Sequence, residues 1–142
     1  MVRFVGLGLL VGSLLGIETA PGGYVIVVNA ENPVSEINSE ALARLFLKKV
    51  QRWDDGRTVV PFDQSLRSRV RAAFTKDVMQ LSVGELRDYW YKQTFSGGAL
   101  PPKARSDNAA VVESVKSDRG GIGYVEVGTV LPPEVKTLRV VK

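Results

Sequence analysis

The sequence contains no histidine and no cysteine. Those two absences exclude Ser-His and Cys-His nucleophilic pairs, a histidine general base, a thiolate nucleophile and a Cys/His zinc site. Any metal would be a hard cation held by carboxylates, and none is expected. No disulfide can staple the fold, and a lipidated amino-terminal cysteine is excluded. Also missing is any run of four or more cationic residues. The 19 Lys+Arg are offset by 15 Asp+Glu, for a net charge of +4 and a pI near 9.5. Acids such as Asp54, Asp63, Asp77, Glu85, Asp107 and Asp118 interrupt the bases throughout. This is the pattern of a solvated mixed surface, not of a nucleic-acid footprint. What is present suffices for one packed domain: 142 residues, 44% hydrophobic and 24% charged.

Arg3 precedes an apolar stretch from Phe4 to Ile17, which is followed by Glu18, Thr19, Ala20 and Pro21. A spanning helix needs about 20 apolar residues, and this stretch is shorter. A basic start, a short apolar middle and a small residue before a turn read as a secretory signal. Residues 1–20 are therefore expected to be removed after Ala20, leaving residues 21–142 as a mature domain beyond the inner membrane. The alternative is an uncleaved anchor.

Tyr24 to Val28 is a continuous β-branched run that suits a strand covered on both faces of a parallel or mixed sheet. Asn38 or Ser39 caps a short helix with Leu42, Leu45 and Phe46 on one face. Thr58 to Phe62 reads as the next strand. From Ser65 to Met79, Leu66, Val70, Ala73, Phe74 and Val78 recur at helical spacing. Ser82 and Glu85 form a capping box, with Leu81 and Leu86 as its hydrophobic staple. The helix they start is expected to turn Leu86, Tyr89, Trp90 and Phe95 inward and to end at Gly97-Gly98, before Pro101-Pro102. Ser106-Asp107 starts a further helix with Val111, Val112 and Val115 inward, and Ile122 to Val125 follows as a strand. Val135 to Val141 alternates as a half-exposed strand would. Strands alternating with helices give a single α/β domain.

Chemistry has few places to reside. Asp54-Asp55 sit in a turn, where structural hydrogen bonding to the backbone is the ordinary role. Asp63 follows a strand and precedes a helix, so it either orients a ligand or caps the helix. The loop from Asp63 to Arg69 is the richest: Ser65 and Ser68 supply hydroxyl donors, and Arg67 and Arg69 supply charge, at a helix amino terminus that attracts anions. The competing assignment makes the serines caps and the arginines a solvated face. In Tyr89-Trp90-Tyr91, Trp90 and one tyrosine read as core rather than as a stacking platform. Gly120 to Gly123 precedes a strand, whereas a dinucleotide-binding turn follows one.

The order of Asn32-Pro33, Leu45-Phe46-Leu47, Trp53-x-Asp55-Gly56, Val60-Pro61, Arg71-x-x-Phe74, Tyr89-Trp90, Phe95-Ser96-Gly97, Pro101-Pro102, Ser106-Asp107 and Gly121-Ile122-Gly123-Tyr124 resembles a known family. It is similar to small, single-lobe relatives of the phosphate-binding proteins of ABC transporters, in the periplasmic binding protein-like superfamily. The resemblance covers roughly residues 24–127. It implies a three-layer α/β/α domain resembling one lobe of a type 2 periplasmic binding protein. It also implies an exported, periplasmic, non-catalytic solute-binding protein for phosphate or another oxyanion, needing no cofactor. An ABC permease or another periplasmic protein would be its partner. In the relatives an arginine followed by Ser-Gly-Thr opens a helix against the anion. Here Phe62 stands near the arginine's place and the triplet is missing, so Ser65 or Ser68 carries over as the contact. Those departures, with the single lobe, keep open a second expectation: a scaffold module without a ligand.

Overall fold

The computed structural model describes residues 23–142; the expected leader and its cleavage point lie outside the described residues. A six-stranded sheet runs through the middle. Its strands are β1 (Tyr24–Asn29), β2 (Glu36–Asn38), β3 (Val60–Gln64), β4 (Lys103–Arg105), β5 (Gly121–Glu126) and β6 (Val135–Val141), in the order β2-β6-β1-β5-β3-β4. β1 is antiparallel to both neighbours, pairing Ile26 with Tyr124 of β5 and with Leu138 of β6. β3 is parallel to β5 and to β4, and β2 is parallel to β6. The sheet is mixed, one of the two forms that the unbroken Tyr24–Val28 run suits.

Alternation along the strands builds two cores. Tyr24, Ile26 and Val28 face one way with Ile122, Tyr124 and Leu138. They meet α1 (Ser39–Phe46) through Leu42, Leu45 and Phe46, α2 (Arg69–Phe74) through Val70 and Phe74, and α3 (Val83–Phe95) through Leu86 and Trp90. Val27, Phe62, Val125 and Val135 face the other way, onto Val111, Val112 and Val115 of α4 (Asn108–Ser117). Three helices on one face and one on the other make the three-layer α/β/α domain. Each fully buried large side chain contributes roughly 1.5–3 kcal/mol relative to exposure.

Two glycines permit this packing. A Cβ on Gly123 would stand 2.6 Å from Val111 Cγ1, so glycine lets α4 lie close on β5. A Cβ on Gly120 would collide with the Thr58 carbonyl oxygen; the Gly120 carbonyl in turn accepts from the buried Trp53 indole at 3.0 Å. Pro61 falls where β3 has β5 beside it, one residue before pairing with β4 begins at Phe62, so its missing N–H costs no ladder bond.

Local signals held where a cap defined them. Asn38 caps α1, the Ser82–Glu85 capping box opens α3, and Asp107 caps α4. Four expectations need correction. The strand after the Trp53 turn runs from Val60 to Gln64, two residues later than its apolar stretch suggests. The helix expected from Ser65 begins at Arg69; Ser65 to Ser68 closes a turn through Ser68 N–H to Ser65 C=O at 3.0 Å, which leaves Leu66 75% exposed. That helix passes into one π turn, Thr75–Met79, and stops at Gln80 in the left-handed region. Phe95 is 96% exposed rather than core, because five residues beyond Trp90 lies more than a third of a turn around the helix. β2 and β4, each three residues long, are too short for alternation to reveal.

Candidate functional site

At their carboxyl ends, β3 and β4 deliver the chain to the starts of α2 and α4, beside the carboxyl end of the parallel strand β5. Open α/β sheets bind ligands at such an edge. β3 ends in a buried polar pair, Asp63 and Gln64. Asp63 Oδ1 accepts from the Tyr124 hydroxyl in a short hydrogen bond and from the Gln64 amide at 2.8 Å. Its Oδ2 faces Arg71 Nη2 at 3.4 Å. Burial first, and then the Asp63 charge and hydrogen bond, push the Tyr124 phenol far above its ordinary pKa, so it remains a donor.

Gln64 links the two helix starts. Its Nε2 donates to the Tyr124 carbonyl at 2.8 Å and to Asn108 Oδ1 at 2.9 Å, while its Oε1 accepts from Ser68 Oγ at 2.6 Å. Asn108 Oδ1 also accepts from the Glu126 amide at 3.0 Å, tying α4 to the end of β5. Arg71 donates to the Gln64 carbonyl, so its guanidinium serves the network beneath the corner. The ring of Tyr124 stacks on Phe74 at 3.9 Å, and Phe46 and Tyr24 meet Phe74 edge-on at 4.7 and 5.5 Å. An aromatic floor therefore carries the polar network.

The structure places the four expected residues on one turn, with unequal freedom. Ser65 is half-buried; its backbone N–H is used by the Arg105 carbonyl at 2.9 Å, and its hydroxyl has no partner among the described residues. Ser68 stands at the N-cap position of α2, but its hydroxyl does not cap; its single proton goes to Gln64. Arg67 and Arg69 are exposed. Among the described residues the amides of Arg69 and Val70 have no acceptor, and the first turn of α2 has no acidic side chain. Asp63 neither caps nor faces outward. It is fully engaged in the network.

Gln64, Arg71 and Asn108 were not among the residues the sequence singled out for this site. Their signal was faint: two polar residues ending an apolar strand, and an Asn directly after a capping Asp. Chemically the corner can hold negative charge with neutral and charged donors. No base addresses either serine, and no group of three or more Asp and Glu able to hold a metal occurs among the described residues.

A family model described as a PBP superfamily domain matches residues 11–140. The chain belongs to the PBP superfamily. No curated protein matches this PBP-superfamily chain in sequence. Among solved structures it is similar to an ABC-type phosphate transport receptor from Vibrio cholerae, with a TM-score of 0.67 and 21% identity over 83% of this chain and 46% of that one. A structure from Clostridium perfringens, assigned as a phosphate ABC transporter substrate-binding protein and holding bound phosphate, gives a TM-score of 0.65 at 18% identity, over 87% of this chain and 47% of that one. PstS from Borrelia burgdorferi gives 0.64 at 14%, over 83% and 47%. This PBP-superfamily domain thus spans less than half the length of these structures and corresponds to one lobe. Among the described residues no helix is long and apolar enough to cross a membrane.

Proposed function

We propose that the chain is an exported, non-catalytic solute-binding domain that takes an oxyanion, phosphate foremost, at the start of α2. One observation carries this reading. The two helices that begin at the same sheet edge are treated oppositely: α4 is closed by the Asp107 carboxylate, which accepts from Ala110 N–H at 2.8 Å, whereas α2 has no side-chain cap and opens with the exposed Arg69. Cations at the positive end of a helix dipole are unfavourable until a negative charge arrives. Ser65 would donate its hydroxyl, Arg67 and Arg69 would supply charge, and Ser68 would donate once its proton leaves Gln64. Structural kinship with phosphate-binding proteins supports the choice of anion. Export rests on the stretch before Pro21, and the permease of an ABC transporter is the partner the kinship suggests. One lobe offers half a cleft, so affinity for a free anion is modest. Titration calorimetry with phosphate and with sulfate should give heat at millimolar anion, and Arg67→Gln combined with Arg69→Gln should abolish it. Silence with both anions ends this reading.

The second reading is an interaction module that has lost its ligand. It is favoured by the commitment of Ser68 to Gln64 and of Arg71 to Asp63. A stoichiometric protein partner, together with calorimetric silence, is its expected outcome.

A further inference from the structure

A second concavity lies at the end of the sheet away from the anion corner. β1 runs antiparallel to β5 and pairs Val28 with Ile122, so the loop after Asn29 leaves the sheet at the end remote from Gln64 and Glu126. That loop, α1 and the Trp53 turn border a cleft of about 410 Å³, within the ~300–1,000 Å³ of small-molecule sites. Leu45, Trp53 and Asn32 form its buried lining, and Val34, Ile37 and Val50 lead outward to solvent. Its walls are fixed. The Trp53 indole donates to the Gly120 carbonyl at 3.0 Å, and Val59 N–H donates to the Gln51 carbonyl across the turn at 2.9 Å. Just ahead of the loop, Asn29 Nδ2 donates to the Val115 and Lys116 carbonyls at 3.0 and 3.1 Å.

Asn32 is where this closure is incomplete. It is 2% exposed, and its Oδ1 accepts from Val34 N–H at 3.0 Å, which fixes how the carboxamide is turned. Its Nδ2 has no acceptor among the described residues. A buried donor is costly to leave unpaired, and in an apolar cleft a ligand oxygen is what would satisfy it. Charge makes no comparable demand, because the rim mixes signs: Arg44 pairs with Glu40 at 2.7 Å, and Asp55 with Arg57 at 3.3 Å.

We infer that this cleft binds an uncharged, largely apolar small molecule that carries a carbonyl-type oxygen. The apolar body packs against Trp53, Leu45 and Ile37, and the oxygen accepts from Asn32 Nδ2. The site is separate from the anion corner and does not depend on phosphate binding at α2.

The test titrates the ¹⁵N-labelled full chain with three probes of one shape: acetophenone, ethylbenzene, which lacks the oxygen, and benzoate, which is charged. Acetophenone should saturably shift the Asn32 side-chain amide and the Trp53 indole resonances. Asn32→Leu keeps the side-chain shape and removes the donor; it should weaken acetophenone by ~tenfold and leave ethylbenzene unchanged. Val50→Phe fills the mouth and should abolish both. Val50 is 39% exposed, so this variant carries the test even where Asn32→Leu does not fold. Neither resonance moving up to the solubility limit of acetophenone overturns the inference, as do acetophenone shifts that Val50→Phe leaves intact. Equal weakening of ketone and hydrocarbon by Asn32→Leu overturns the donor's role, and benzoate binding as tightly as acetophenone overturns the uncharged class. Cleft resonances that move on diluting the protein alone assign the cleft to a second copy instead. Shifts with N-acetyl-leucine methylamide but none with acetophenone assign it to a peptide, and overturn the inference too.

Discussion

Two helices start at the same edge of this sheet, and only one is finished by its own sequence. At α4 the Asp107 carboxylate supplies both an acceptor and the negative charge that a helix start favours. At α2 the side chain in that position, Ser68, turns back to Gln64 and leaves the first amides open beneath arginines. The foundations differ as well. α4 rests on valines, Phe62 and a glycine, with Asn108 as its polar tie to the sheet, whereas α2 stands on the stacked Phe74 and Tyr124, whose hydroxyl anchors the buried Asp63 carboxylate. A self-contained corner is finished locally. An incomplete one is elaborated underneath, and the proposed anion site rests on this difference rather than on sheet topology alone.

The largest effect should come from breaking that foundation. Phe74 is fully buried among Tyr24, Phe46 and Tyr124, so Phe74→Ala should destabilise the domain by ~3–5 kcal/mol. The melting midpoint should drop by more than about 10 °C, and any response to phosphate should be lost with it. A drop of only a degree or two would mean that the α2 corner does not depend on its aromatic floor.

Alkali should distinguish the corners next. Tyr124 and Tyr24 are both held above their ordinary pKa, by burial first and then by Asp63 and Asp77 respectively. A phenol that folding keeps protonated stabilises in full below the unfolded value of ~10. That contribution is lost as pH rises through ~10 toward the higher folded value, because the unfolded chain ionises first. Stability should therefore hold to about pH 9 and then fall by up to ~1.4 kcal/mol per pH unit for each phenol. Tyr124→Phe should remove one such share, at the expense of one donor to Asp63. An unchanged slope in both Tyr124→Phe and Tyr24→Phe would show that neither phenol senses the fold.

The same contrast explains what could be read from residues alone. Caps are local, so Asn38, Ser82 with Glu85, and Asp107 disclosed three of the four helix starts. The α2 start had no working cap to disclose it. Leu66, which falls at helical spacing ahead of Val70, therefore drew the expected helix four residues too early. Phe95 misled for a similar reason: hydrophobicity marks a residue for burial, but the angular position relative to Trp90 decides which face it takes. The network of Asp63, Gln64, Asn108, Arg71 and Tyr124 joins residues up to 61 apart, and such pairing is set by sheet register rather than by spacing. Pairing Pro61 with Ile122 is what carries Asp63 to Tyr124.

Exchanging the caps is the smallest change and the most discriminating. Ser68→Asp would give α2 the carboxylate that α4 already has. A working cap is worth ~1 kcal/mol, and the lost Ser68–Gln64 hydrogen bond takes back a similar amount, so net stability should move by less than about 1 kcal/mol. Ligand linkage should change far more. Phosphate raises the midpoint only by binding the folded state, and a fixed carboxylate at the α2 start competes for the same amides and arginines, so the rise should vanish. Asp107→Ala should do the reverse, costing ~1 kcal/mol while leaving the phosphate response intact. Ser68→Ala separates charge from the hydroxyl: it forfeits the bond to Gln64 but adds no negative charge, and most of the response should survive on the open amides and on Arg67 and Arg69. If Ser68→Asp melts later in phosphate by the same margin as the unaltered chain, the anion sits elsewhere and the asymmetry between the two helix starts has no bearing on ligand binding.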